Sequence, residues 1–188
     1  MVTALLAIGL QKDAGLPMDV GGIPHMDGFE EAVANATRVV MAARAALMPI
    51  IFCQEVHRRN RIDFGRELDG SEGLHCIEGD LGTEMVDGLA PVGDNEYLIV
   101  QRRYSSFHGT DLDLLLRCLK ADGLIILGSL TDVNIHYTFV EAHMRDFHLN
   151  VLTDCGVGSS LDSHGYALRA MAYMQSKALM TAEAFVGN

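Results

Sequence analysis

A chain of 188 residues, 49% hydrophobic and 21% charged, carries enough apolar surface to offset the entropy of ordering, so it reads as one folded domain over 1–188 rather than a disordered chain. Its 25 acidic residues against 14 basic ones give a formal charge of −11, which repels a phosphate backbone and excludes nucleic acid as an expected partner. No apolar run reaches the ~20 residues of a membrane span, and residues 1–8 lack the basic flank of a signal peptide, so no membrane partner and a cytoplasmic location are expected.

The first apolar run, Val2 to Ile8, enters Gly9-Leu10-Gln11-Lys12-Asp13 as a buried parallel strand does when it leaves its sheet. Phe29, Val33, Ala36, Val40, Ala43 and Leu47 then recur at spacings of four and three, one apolar stripe of a helix that Pro49 stops before a second strand at Ile50 to Cys53. From Gln54 to Pro91 the chain is polar and glycine-rich with no sustained period, the signature of a functional loop. Strand returns at Tyr97 to Val100. The pattern then predicts a helix over Asp111 to Lys120, a strand at Leu124 to Leu127, a helix over Asp132 to Asp146, a strand at Asn150 to Leu152, a helix over Ser163 to Gln175 and a short strand near Ala178 to Met180. Six strands alternating with helices predict an α/β fold: a three-layer α/β/α sandwich on a mainly parallel, Rossmann-like sheet.

Ligands in such folds bind beyond the carboxyl ends of the strands. That places Gly9 and Gln11, Gln54, Glu55 and His57, Gln101 to Tyr104, and Ser129 to Asn134 around one mouth. The turn Gly128-Ser129-Leu130-Thr131-Asp132 would aim the N–H groups of about Val133 to Ile135 into it, fit for an oxyanion or a carboxylate. The plain alternative is a helix capped by Thr131 or Asp132. Cys53, Cys76, Cys118 and Cys155 have no CxxC or Cys/His spacing, so they read as reduced thiols.

Three segments resemble one family. Ala4-Leu5-Leu6-Ala7-Ile8-Gly9-Leu10-Gln11-Lys12-Asp13 is similar to an opening strand followed by D-x-Q-x-D, and Arg103-Tyr104-Ser105-Ser106-Phe107-His108-Gly109-Thr110-Asp111-Leu112-Asp113 is similar to K-x-R-Y-S-A-F-x-G-T-x-L-D. Gly128-Ser129-Leu130-Thr131-Asp132-Val133-Asn134-Ile135-His136-Tyr137-Thr138 resembles G-x-x-T-D-x-C-V-x-x-T. In this order and at these separations they identify the chain as a member of the isochorismatase-like superfamily, the cysteine hydrolases that include nicotinamidases, N-carbamoylsarcosine amidases, and ureidoacrylate and biuret hydrolases. Cys53 to His57, Asp63 to Gly70 and His75 to Gly79 look most like the members acting on carbamoyl and ureido compounds.

The resemblance implies a catalytic aspartate, lysine and cysteine, and the flanking letters place them at Gly9, Gln101 and Asn134. All three are replaced. Hydrolysis by that route needs a thiolate, a carboxylate to move its proton and an ammonium to hold charge. Members that cleave a vinyl ether dispense with the cysteine but keep the aspartate, and Gly9 removes that too. The three lysines, Lys12, Lys120 and Lys177, fall elsewhere, and Cys76, though it follows His75, reads as an inert thiol.

The catalytic group is therefore unassigned, and the residues expected to bind substrate are Gln11, His57, Arg66, Gln101, Arg103, Tyr104, His108, Leu130, Thr131 and Asn134. Arg66 and Arg103 could grip a carboxylate with two bonds, or simply form surface ion pairs. Some family members hold a metal with an Asp-x-His pair and a further His. Glu55-Val56-His57 supplies part of that set and spacing names no further ligand, so no metal site and no cofactor is expected. His136 should point about 200° away from Asn134 on its helix, toward a neighbouring helix or subunit. Two readings follow: a diverged enzyme acting by non-covalent chemistry on a small carbonyl, carboxylate or carbamoyl compound, or a non-catalytic ligand-binding or structural homologue. The resemblance implies a homo-oligomer, dimer or tetramer, with pairing to an active relative as the alternative.

Overall fold

The computed structural model describes residues 2–187, and its elements alternate as the sequence pattern predicts. They are β1 (Val2–Ile8), α1 (Phe29–Ala45), β2 (Ile50–Glu55), β3 (Glu96–Gln101), α2 (Leu112–Leu119), β4 (Ala121–Gly128), α3 (His136–His143), β5 (His148–Leu152), α4 (Leu161–Met174), β6 (Leu179–Met180) and α5 (Ala182–Val186). The six strands form one sheet in the order β3-β2-β1-β4-β5-β6, and every neighbouring pair is parallel. The order reverses at β1, so the crevice beyond the ends of β1, β2 and β4 is the topological switch point where such sheets take ligands.

The period-two alternation of strand side chains divides the core. Ala4, Leu6 and Ile8 of β1 face Leu112 and Leu116 of α2, Phe139 of α3 and Met171 of α4. Leu5 and Ala7 face Ala36, Val39, Val40 and Ala43 of α1 and Ala182 of α5. Strands apolar on both faces are what a sheet covered on both sides requires, and each fully buried Leu or Ile stabilises it by roughly 1.5–3 kcal/mol. Among the described residues no helix is long and apolar enough to cross a membrane.

Three local expectations change. Leu47 leaves the α1 stripe: α1 ends at Ala45, Leu47 takes φ 54° and its side chain is 82% exposed. The helix expected from Asp132 opens instead as a wider π-helical turn at Thr131–Ile135, entered from Leu130 with no side-chain cap. Val133 N–H and Ile135 N–H both donate to the Leu130 carbonyl, so neither is available to an anion at the mouth. The sequence pattern also gave no hint of α5, whose five residues are too few to show a period.

Candidate functional site

β2 carries the chain out of the sheet at Glu55 and the long loop then folds back on it. His57 N–H donates to the Cys76 carbonyl at 2.7 Å and Glu78 N–H to the His57 carbonyl at 2.8 Å, a short parallel bridge that sets His75 beside His57. The Gln11 amide locks this loop to the sheet: Nε2 donates to the carbonyls of Glu55 and Thr83, and Oε1 accepts from Glu55 N–H. Gln11 thus borders the mouth, as expected, by building its floor.

The loop assembles a cluster that spacing did not reveal. Ligand-type atoms of Glu55, His57, Glu67 and His75 all lie within 4.8 Å of one another, and all four residues are buried. His57 Nε2 is 3.2 Å from Glu55 Oε1 and 3.5 Å from Glu67 Oε2, while His75 Nε2 is 3.6 Å from Glu55 Oε1 and 3.8 Å from Glu67 Oε1. The rings are held from behind. His57 stacks on Phe64 at 3.8 Å between centroids, with Asp63 Oδ1 3.6 Å from its Nδ1, and His75 Nδ1 lies 2.8 Å from the Gly73 carbonyl. Such outer partners fix the ring orientation of a metal-binding histidine.

Whether these side chains suit a metal is tested by their unmet bonding. Both carboxylate oxygens of Glu67 and His57 Nδ1 are buried without a hydrogen-bond partner, a costly state for polar groups. Two imidazole nitrogens facing two carboxylates form a donor set for a zinc, manganese or iron divalent ion. Left to protons, the cluster is frustrated. Burial and the neighbouring Glu55 charge push Glu67 up to about 9. Burial works against the charged forms of Glu55 and His75 alike, yet Glu55 is held well below the usual carboxylate range by His57 and His75, and Glu55 in turn raises His75 to about 9. The set therefore fits a divalent ion, against the expectation of none.

Two of the three positions that the resemblance assigns to the triad, Gly9 and Asn134, open onto the same place. Gly9, Asn134, Gln11, Asp13, Glu55, Glu72, His75, Ser129 and Leu130 line a cavity of about 20 Å³, room for about one water. Asn134 Nδ2 donates to Glu55 Oε2 at 3.4 Å, joining the nucleophile position to the cluster. Gly9 has φ 61°, and a Cβ there would lie 2.3 Å from the Ser129 carbonyl oxygen. The backbone at that position is shaped around the missing side chain. Gln101 is fully buried and hydrogen-bonded through Oε1 to Ser106 Oγ at 2.6 Å, and it does not line the cavity.

The other expected binding residues scatter. Arg66 lies in solvent with its guanidinium on Asp69, and Arg103 Nη1 donates to the carbonyls of Asp63 and Arg102, so no guanidinium reaches the cavity. Tyr104 and the exposed His108 border an outer depression with Tyr137. Thr131 is buried with its Oγ1 on His164, leaving Ser129, Leu130 and Asn134 of that segment at the cavity. His136 is half-buried against Tyr137. The thiols are poor nucleophiles: burial pushes Cys53 and Cys155 up to about 12, and burial with Asp13 and Glu55 raises Cys76 well above its ordinary value. Sequence reasoning missed Glu67, Glu72, Asp13 and His75 as site residues; two histidines and several acids within one glycine-rich loop were the available signal.

Comparison with known proteins bears on this site. The model of the isochorismatase domain matches residues 3–184. An Arabidopsis thaliana protein named a probable inactive nicotinamidase is 32% identical over 167 residues, covering 86% of this chain and 84% of its own length. The ureidoacrylate amidohydrolase of Serratia proteamaculans is 27% identical over 173 residues, covering 81% of this chain and 68% of its own. The crystal structure of an isochorismatase-like hydrolase from Alkaliphilus metalliredigens superimposes with a TM-score of 0.85 at 25% identity, covering 100% of this chain and 98% of that one.

Proposed function

The chain belongs to the isochorismatase domain family, and on that premise we propose that it is a diverged small-molecule enzyme that has given up the Asp-Lys-Cys route and acts by non-covalent chemistry on a carbonyl or carbamoyl compound. The observation that carries this reading is the contact of Asn134, at the nucleophile position, with Glu55 of the Glu55-His57-Glu67-His75 cluster. Gly9 offers no acid, Gln101 no charge and Asn134 no nucleophile, while the thiols nearby stay protonated at neutral pH.

A divalent ion on the cluster would polarise a carbonyl or activate a water. The protein's own groups supply the rest. Asp13, lining the cavity with its carboxyl raised by burial to about 6, can hold or release a proton near neutrality. The Asn134 amide presents a donor to a carbonyl oxygen, and Leu130 and Ile23 supply the apolar part of the cavity wall. The expected carboxylate-bearing substrate loses its support, because neither Arg66 nor Arg103 faces the cavity.

The experiment is a hydrolysis screen of small amides, ureas and carbamates with and without added divalent ions. Turnover that survives alkylation of the thiols and disappears in His75→Ala supports the reading; turnover stopped by alkylation overturns it. A second reading, a non-catalytic homologue, is favoured by the inner cavity of about 20 Å³, too small for a whole substrate without rearrangement. It predicts binding without turnover across the same screen.

A further inference from the structure

Outside the inner cavity lies a larger one of about 280 Å³, lined by Pro24, Glu67, Glu72, Asp132, Tyr104 and Tyr137 among others. Glu72 lines both, so the two cavities adjoin at that side chain. Three of its side chains are carboxylates, and among the described residues no lysine, arginine or histidine lines it. Both Glu67 oxygens are buried without a hydrogen-bond partner among the described residues and lie against the inner cluster, 3.5 Å from His57 Nε2 and 3.8 Å from His75 Nε2, so Glu72 and Asp132 are the carboxylates left to the pocket. Tyr104 and Tyr137 stack with their centroids 5.9 Å apart and give the pocket an aromatic wall. Arg103 borders the neighbouring depression that shares these rings, with its Nη1 already used on backbone carbonyls.

We propose that this outer pocket recognises a small organic cation, an amidinium, guanidinium or quaternary ammonium group borne on a compact body. Carboxylates with aromatic faces and no competing base are the chemistry that binds such groups, by charge and by attraction to the ring faces. A divalent ion on the cluster would balance Glu55 and Glu67 and leave Glu72 and Asp132 as the uncompensated charges, so the preference holds with or without it. Asp132 is fixed for this purpose, accepting from Ser159 N–H at 2.8 Å and from Ser159 Oγ at 2.5 Å. The inference rests on the reading of the inner cavity as the functional site and names the class of compound that site admits.

Benzamidine, benzamide and benzoate share one shape and differ in charge, which makes them the probes. Titration calorimetry at pH 7, on metal-stripped and metal-loaded protein, should show benzamidine binding at least about tenfold more tightly than benzamide, with benzoate weakest. Glu72→Gln and Tyr137→Ala should each weaken benzamidine about three- to tenfold and leave benzamide unchanged. Tyr137 is half-exposed, so its variant keeps the test open if Glu72→Gln fails to fold. Benzamide or benzoate binding as tightly as benzamidine, or both variants weakening all three probes alike, overturns the inference. Charge-ordered binding without turnover of any compound leaves it standing and removes the enzymatic reading; turnover of uncharged compounds with no preference for benzamidine does the opposite.

Discussion

Two halves of one crevice have gone opposite ways. On the side of β1 and β4, the positions Gly9 and Asn134 hold no reactive group, and a Cβ at Gly9 would meet the Ser129 carbonyl oxygen at 2.3 Å. On the side of β2 and its loop, Glu55, His57, Glu67 and His75 converge, buried, with their rings braced by Phe64 and Gly73. A site decaying as a whole would relieve the second half first, because unpaired buried carboxylates and imidazoles are its most costly groups. On the proposed reading, this buried and unpaired set is what marks a changed chemistry rather than a lost one.

That contrast can be broken at several points. Phe64 is fully packed behind His57, so Phe64→Ala should lose about 3–5 kcal/mol in urea unfolding and, where the fold survives, reduce divalent-ion affinity about tenfold. Unchanged affinity would show that the ring does not position His57. On the other side, Gly9→Asp puts back the family's acid letter yet should cost about 2–4 kcal/mol, since its Cβ meets the Ser129 carbonyl and its φ is 61°. A stable Gly9→Asp protein would mean that the backbone there is free to accept the triad.

Asp13 sharpens the comparison through pH. Burial raises its carboxyl from 3.8 to about 6, so its contribution to stability is fullest below 3.8 and is lost as pH rises through 6. Asp13→Asn removes that loss. Relative to the parent, the variant should gain about 2 kcal/mol between pH 4 and pH 7 in urea midpoints taken at the two values, and a constant difference would place the carboxyl in ordinary solvent. Smallest is Arg66→Ala, whose side chain is 94% exposed and paired only with Asp69; stability and probe binding should both stay within about 0.5 kcal/mol.

The sheet and its helices were legible because strands apolar on both faces and a period of 3.6 report burial directly. The assignment of the triad positions to Gly9, Gln101 and Asn134 rests on the register that Gln11 and Asp13, Arg103 to Ser105, and Thr131 to Val133 set in the sequence. The cluster was not legible, because Glu67 and His75 stand 10 and 18 residues beyond His57 in a loop with no period, and it is the backbone pairing of His57 with Cys76 and Glu78 that brings His75 back to it. Of the free N–H groups read into the turn after β4, those of Val133 and Ile135 turn to the Leu130 carbonyl, a choice of helix type that residue identity at Thr131–Ile135 does not encode. Arg66 and Arg103 looked like anion grips because charge type says nothing about direction.

The central claim is that the functional centre lies in the Glu55-His57-Glu67-His75 cluster, and its most direct test is metal content by elemental mass spectrometry. Parent protein and a His57→Ala, His75→Ala double variant would be equilibrated with the same zinc, manganese and iron solutions and freed of unbound ion. The parent should retain about one divalent ion per chain and the double variant none. A parent that retains no more than the variant would contradict the account.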